Sequence, residues 1–247
     1  MKSNKTVIVT GASSGIGFAV TKAYLDRGYN VVGNARTLDR LEAAAAKLGN
    51  PTNFLPVPGD IALPATAAVL FEKAIAAFGK VDILINNAGI FVAKPLAEYS
   101  EGEIEAVIDT NIKGFLYPSQ QAAAHMAKNK SGHIVTITAS LAMQPSAKVS
   151  SIMAILAKGG LNSATRGLAI ELAGSGVQVN AVAPGIILTP LHGNADEGTR
   201  NFLKTLSPSG KVGDTQDIVD AVLYMTDSKF TSGTVLPIDG GATAGSW

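Results

Sequence analysis

The chain has 247 residues, 26 of them glycine and none cysteine, with 47% hydrophobic and 16% charged residues, a composition that suits one large globular domain. Without cysteine there is no disulfide framework, thiolate nucleophile or Cys-ligated metal; no metal site is expected, and a reducing compartment fits. The 20 Lys and Arg against 19 Asp and Glu leave a net charge of +1, which gives no excess for nucleic acid or an anionic membrane, so a small molecule is the expected partner.

The short polar lead, Met1 to Lys5, runs directly into a strand-like segment and lacks the apolar region of a secretion signal. No apolar run approaches the ~20 residues of a membrane span, so the expected location is cytoplasmic. Strands are predicted at 6–10, 30–34, 53–57, 81–86, 133–138, 177–183 and 234–238. Helices are predicted at 15–28, 38–48, 64–78, 101–128, 151–174 and 215–227, with a shorter one near 196–206. Several strands lack polar alternation, as strands buried on both faces do. Repeated strand–helix–strand units imply an α/β fold: a doubly wound parallel sheet of about seven strands with helices on both faces. The charged fraction, below the roughly 25% usual in soluble domains, points to self-association.

Residues 10–17, Thr-Gly-Ala-Ser-Ser-Gly-Ile-Gly, follow the first strand and open the first helix. Their spacing is Gly-x-x-x-Gly-x-Gly, not the commoner Gly-x-Gly-x-x-Gly. Gly11, Gly15 and Gly17 permit a tight turn and close backbone approach, while the helix N-terminus at Ile16 offers free N–H groups and a positive dipole end to a pyrophosphate. Ser13 and Ser14 add hydroxyl donors; the plain alternative is an ordinary glycine-rich turn. A site for an unphosphorylated ribose needs a carboxylate at the end of the second strand. Here the strand ends Gly33-Asn34-Ala35-Arg36-Thr37, and the first carboxylate, Asp39, falls inside the next helix. A guanidinium at Arg36 suits a 2′-phosphate through bidentate, charge-assisted bonds. NADP(H) is therefore expected over NAD(H), the alternative being a solvated surface arginine.

From about residue 5 to residue 241 the chain resembles the short-chain dehydrogenase/reductase family. The resemblance rests on the glycine turn, Asp60-Ile61, Asn86-Asn87-Ala88-Gly89, Asn111, Lys158, the stretch from Val179 to Ile186, Thr189-Pro190 and Asp239-Gly240-Gly241. It implies a single Rossmann-type dinucleotide-binding domain over residues 1–247, with Asp60 and Ile61 beside the adenine and Lys158 on a ribose. Asn87, Ala88, Gly89, Pro184, Gly185, Ile187 and Thr189 are implied as further cofactor contacts. The family's catalytic group is an Asn, a Ser, and a Tyr and Lys spaced Tyr-x-x-x-Lys. Its tyrosine exchanges a proton with the substrate oxygen while hydride passes to or from the nicotinamide. A homodimer or homotetramer built on the two longest helices is also implied.

The match fails at the acid. Counting back four from Lys158 gives Ala154, and no tyrosine lies between Tyr117 and Tyr224. In Ile134-Val135-Thr136-Ile137-Thr138-Ala139-Ser140 the serine position falls on Ala139. Neighbours on a strand point to opposite faces, so Ser140 reaches the site only if the strand has ended. The catalytic candidates are Asn111, Ser140 and Lys158, although an Asn111 satisfied by backbone groups would look the same. Replacements for the acid are His192 in the loop beyond Thr189-Pro190, a lysine-bound water, and Ser151, which a continuous helix would place on the face of Ala154 and Lys158. Gly159, Gly160 and Gly167 each cost about 1 kcal/mol relative to alanine in a helix and suggest close helix approach. Two functions fit: an NADP(H)-dependent oxidoreductase interconverting a carbonyl and an alcohol with a non-standard proton donor, or a dinucleotide-binding pseudoenzyme that senses or scaffolds.

Overall fold

The computed structural model describes residues 4–190 and 196–245. Seven strands form one sheet: β1 (Thr6–Thr10), β2 (Asn30–Ala35), β3 (Phe54–Pro58), β4 (Ile83–Asn86), β5 (Gly132–Ile137), β6 (Val177–Pro184) and β7 (Val235–Ile238). Their spatial order is β3-β2-β1-β4-β5-β6-β7 and every pairing is parallel. The order reverses between β1 and β4, the place where doubly wound sheets open a crevice for ligands.

Side-chain alternation along the strands feeds two cores. Val7 and Val9 of β1 join a cluster with Ile218, Val222 and Met225, whereas Ile8 joins Leu70, Phe71, Met126 and Leu172 on the other side. The first side is covered by α1 (Gly15–Asp26), α2 (Leu38–Lys47) and α8 (Thr215–Asp227). The second is covered by α3 (Pro64–Phe78), α5 (Gly114–Asn129) and α6 (Ile152–Leu172). Local sequence sets the helix starts: Pro64 occupies the first turn of α3, and Asp214 with Asp217 forms a capping box on α8. Ser100 and Glu103 do the same for α4 (Glu101–Val107). A short α7 (Glu197–Lys204) follows Asp196.

The helix predicted over 101–128 is interrupted. Between α4 and α5 residues Ile108–Lys113 form a π turn, in which Asn111 is buried. Such turns insert a residue into a helix and are frequent at functional sites. Pro118, inside α5, removes a further backbone donor close to the same place. Periodicity shows the apolar faces of both helices but not the change of phase between them.

One other expectation changes. Ser151 is the residue before α6, not within it, and its hydroxyl donates to the Val149 carbonyl at 3.3 Å, so it does not extend the helical face of Ala154 and Lys158. Apart from the helix's own nearby backbone, no atom of the described residues lies within 4 Å of a Cβ placed on Gly160 or Gly167, and Gly159 would meet the Ala142 carbonyl oxygen at 3.8 Å. Packing within this chain therefore does not require those glycines.

Gly33 is the opposite case: a Cβ there would come within 2.6 Å of the Phe54 ring and 3.1 Å of the Ala12 Cβ. Gly33→Ala is expected to destabilise the fold by about 1–3 kcal/mol through overpacking, measured as a lower urea midpoint at unchanged slope.

Candidate functional site

The glycine turn leaves β1 at the point where the strand order reverses. Gly11 and Gly15 have φ of +68° and +55°, left-handed values that glycine adopts freely. A Cβ on Gly17 would collide with the Gly11 carbonyl oxygen and with Asn87 Nδ2, so the helix approaches the strand end closely only with glycine there. Ser14 precedes α1 in extended conformation and its hydroxyl does not cap the helix. The first N–H groups of α1, on Gly15, Ile16 and Gly17, thus have no hydrogen-bond partner among the described residues. Thr189, partly buried, rests with its Cβ 3.5 Å from the Cβ position of Gly15, bringing the segment after β6 over the turn.

Thr10, the last residue of β1, ties this turn to β4. Its hydroxyl oxygen accepts from the N–H groups of Asn87 and Ala88, each at 3.0 Å, while Asn87 Nδ2 donates to the Thr10 carbonyl at 2.9 Å. The sequence reading did not single out Thr10. The signal available for it is its position, a hydroxyl at the strand end directly before the first glycine.

Gly89, three residues beyond β4, is exposed, and a Cβ there would lie 2.7 Å from Asn111 Oδ1 and 3.0 Å from Lys158 Nζ. Gly89, Asn111 and Lys158 therefore meet at one place. Asn111 pairs with the backbone of Ile90 on both sides of its amide, accepting from the N–H at 3.2 Å and donating to the carbonyl at 3.1 Å. Lys158 Nζ donates to the carbonyl of Ile137, the last residue of β5, at 2.9 Å. Burial pushes its pKa down from 10.5 to about 8, with no opposing charge to restore it. Ala154, one turn earlier on α6, is buried.

The serine region resolves in favour of an ended strand. β5 stops at Ile137, and the Thr138 hydroxyl turns to the Val182 carbonyl at 3.3 Å, on the β6 side. Ala139 remains extended, and a buried Ser140 opens a short 3-10 turn, Ser140–Ala142, packed on α6.

At the end of β2, Arg36 is exposed and has no ion pair among the described residues. Arg40, four residues on in the first turn of α2, is likewise exposed and was not anticipated from the sequence. Asp60 is exposed and accepts from the Ala62 N–H at 2.9 Å, whereas the Ile61 side chain is core, close to Gly114. On the far side, Pro184 ends β6, Gly185 donates to the Ile238 carbonyl at 2.9 Å, and buried Ile187 bridges to Gly213. His192 lies outside the described residues. Among the described residues no helix is long and apolar enough to cross a membrane.

These features define a doubly wound α/β domain with an anion-ready glycine turn at the switch point of its sheet and a partly buried lysine bonded to the end of β5. The chain belongs to the short-chain dehydrogenase family, whose model matches residues 5–200. It is 35% identical over 241 residues to (2S)-[(R)-hydroxy(phenyl)methyl]succinyl-CoA dehydrogenase subunit BbsD of Thauera aromatica, covering 96% of each chain. It is 30% identical over 240 residues to the 3-oxoacyl-[acyl-carrier-protein] reductase FabG of Thermotoga maritima, covering 96% of this chain and 97% of that one. A solved structure of ElxO with NADP bound superposes with a TM-score of 0.92 at 30% identity, over 98% of this chain and 100% of that one.

The lysine also sets a pH signature. Unfolded, Lys158 keeps its proton up to about 10.5; folded, it loses it near 8. The unfolded state binds more protons between those values, so stability rises with pH across that window. Below it, the buried ammonium costs at most roughly 3 kcal/mol. Lys158→Met is expected to raise the urea midpoint of the cofactor-free protein at neutral pH, and the gain is expected to shrink as pH approaches 10.5.

Proposed function

We propose that the protein is an NADP(H)-dependent oxidoreductase that interconverts a carbonyl and an alcohol, with Lys158 or a water it holds supplying the proton in place of a phenol. The observation that carries this reading is the convergence of Lys158 and Asn111 on exposed Gly89, at the same sheet end as three unpartnered N–H groups of α1. The residues fit a dinucleotide. The uncapped start of α1 and the close approach at Gly17 form a cradle for a pyrophosphate, with Ser13 and Ser14 as further donors. Arg36, joined by Arg40, faces a 2′-phosphate with unpaired guanidinium groups. Asp60 and the Ile61 backbone border the adenine; Asn87, Ala88, Gly89, Pro184, Gly185, Ile187 and Thr189 line the remainder.

When bound, the nicotinamide supplies or accepts the hydride. Lys158 contacts the ribose and, at a pKa of about 8, gives or takes a proton near neutrality. Asn111 holds the Ile90 segment against the π turn, and Ser140 borders the substrate from the end of β5. The reading is supported by the NADP-bound ElxO structure and by relatives named as dehydrogenase and reductase.

Arg36→Ala is expected to weaken NADPH binding by about 10–100-fold, the worth of a charge-assisted contact, while leaving NADH binding unchanged; fluorescence titration measures both. Carbonyl reduction, followed at the nicotinamide absorbance over a panel of aldehydes and ketones, is expected to fall as pH rises through about 8, because the donor loses its proton there. A rate indistinguishable from the uncatalysed one across the panel would refute the catalytic reading.

A second reading is a dinucleotide-binding pseudoenzyme that senses NADP(H) or supports a partner subunit. Ala154 and Ala139 at the tyrosine and serine positions favour it, as does a relative whose name makes it a subunit of a dehydrogenase. Tight NADPH binding without turnover would select it.

We also propose a homodimer or homotetramer that uses α5 and α6. Leu116 on α5 and Ile152 and Leu156 on α6 are 50%, 42% and 63% exposed, an apolar surface this chain leaves uncovered. Leu156→Glu is expected to shift the mass measured by light scattering toward that of the monomer.

A further inference from the structure

Lys158 is a partly buried amine without the usual company of one. Among the described residues its single hydrogen bond goes to a backbone carbonyl, that of Ile137, and no carboxylate or phenol pairs with it. The only charged groups of the π turn packed against α6, Asp109 and Lys113, pair with each other at 2.7 Å. The amine lies beside exposed Gly89, so near that a Cβ there would come within 3.0 Å of Nζ, and Lys158 is itself only partly buried. One helical turn back, where a lysine side chain leans, stands the methyl group of Ala154.

We infer that Lys158 is a covalent capture site for small aldehydes and ketones, its amine forming an imine with them in the cofactor-free chain. An uncharged amine donates one N–H to the Ile137 carbonyl and keeps its lone pair for a carbonyl carbon. Attack forms the N–C bond and places the C=O electron pair on oxygen, which takes up a proton as the nitrogen sheds one. The hydroxyl then takes the nitrogen's remaining proton and leaves as water, the nitrogen lone pair forming the C=N bond as the C–O bond breaks. No oxidant or reductant enters the step. Desolvation beside small residues is the usual way in which a lysine is made nucleophilic. Burial keeps an amine fraction free near neutral pH that exceeds that of an ordinary exposed lysine by roughly a hundredfold. This inference stands apart from the oxidoreductase reading, because it concerns the chain without cofactor and needs no hydride from it.

The test is reductive trapping. The cofactor-free full-length protein is incubated with benzaldehyde or cyclohexanone and sodium cyanoborohydride near neutral pH, followed by intact-mass measurement and peptide mapping. One adduct per chain is expected, located on Lys158 and at least about tenfold enriched over any other lysine. Lys158→Arg, which keeps a cation but cannot form the imine, is expected to lose that adduct. Mapping on the unaltered chain keeps the test independent of whether the variant folds. Adducts spread over exposed lysines with no enrichment at Lys158 would overturn the inference. An adduct on Lys158 that persists undiminished under saturating NADPH would uphold the inference and count against the ribose contact proposed above.

Discussion

Two backbone N–H groups converge on one hydroxyl. Thr10 Oγ1 accepts from both Asn87 and Ala88 and thereby fixes the ends of β1 and β4 relative to each other where the strand order reverses. Parallel strands leave their carboxyl ends free of ladder bonds, so the segments beyond them need partners from elsewhere. Here the partner is a side chain from the neighbouring strand. With that contact in place the glycine turn stands on one side of the crevice and Gly89, Asn111 and Lys158 on the other. The Asn87 amide completes the tie and, with the Gly11 carbonyl, fills the space that a side chain at Gly17 would need.

Electrostatics and packing at this centre work against each other. A lysine held by one carbonyl and no countercharge is a poor contributor to stability near neutrality, since its desolvation is not repaid by an ion pair. Folds keep such groups where chemistry or binding uses them. The surrounding core carries the cost: β1 is fully buried on both faces, and the two apolar clusters enclose every central strand.

The sheet, its order of elements and the place of the crevice were legible in the sequence, because buried parallel strands and amphipathic helices have different periods and the glycine turn marks the switch point. The convergence of Asn111 and Lys158 was foreshadowed only by motif order; 47 positions separate them along the chain. What escaped were contacts that spacing does not encode. Thr10 acts through its side chain on backbone groups 77 and 78 positions away, and Ile137 acts through its carbonyl, which every residue possesses. Ser151 read as part of a helical face because a pattern of residue types does not show where the first helical residue falls. Gly160 and Gly167 of α6 face open space among the described residues, so the close helix approach read from them concerns contacts between subunits, not within this chain.

The π turn at Ile108–Lys113 has a consequence for the division of labour between the helices it joins. A continuous α-helix carries one apolar stripe and can face only one neighbour along its whole length. The extra residue rotates the helix beyond it, so α4 presents its stripe to α6 while α5 presents its own to α3 and the sheet. A single stretch of chain thus serves as the wall of the crevice and as a strut of the core, with Asn111 at the joint where the one becomes the other.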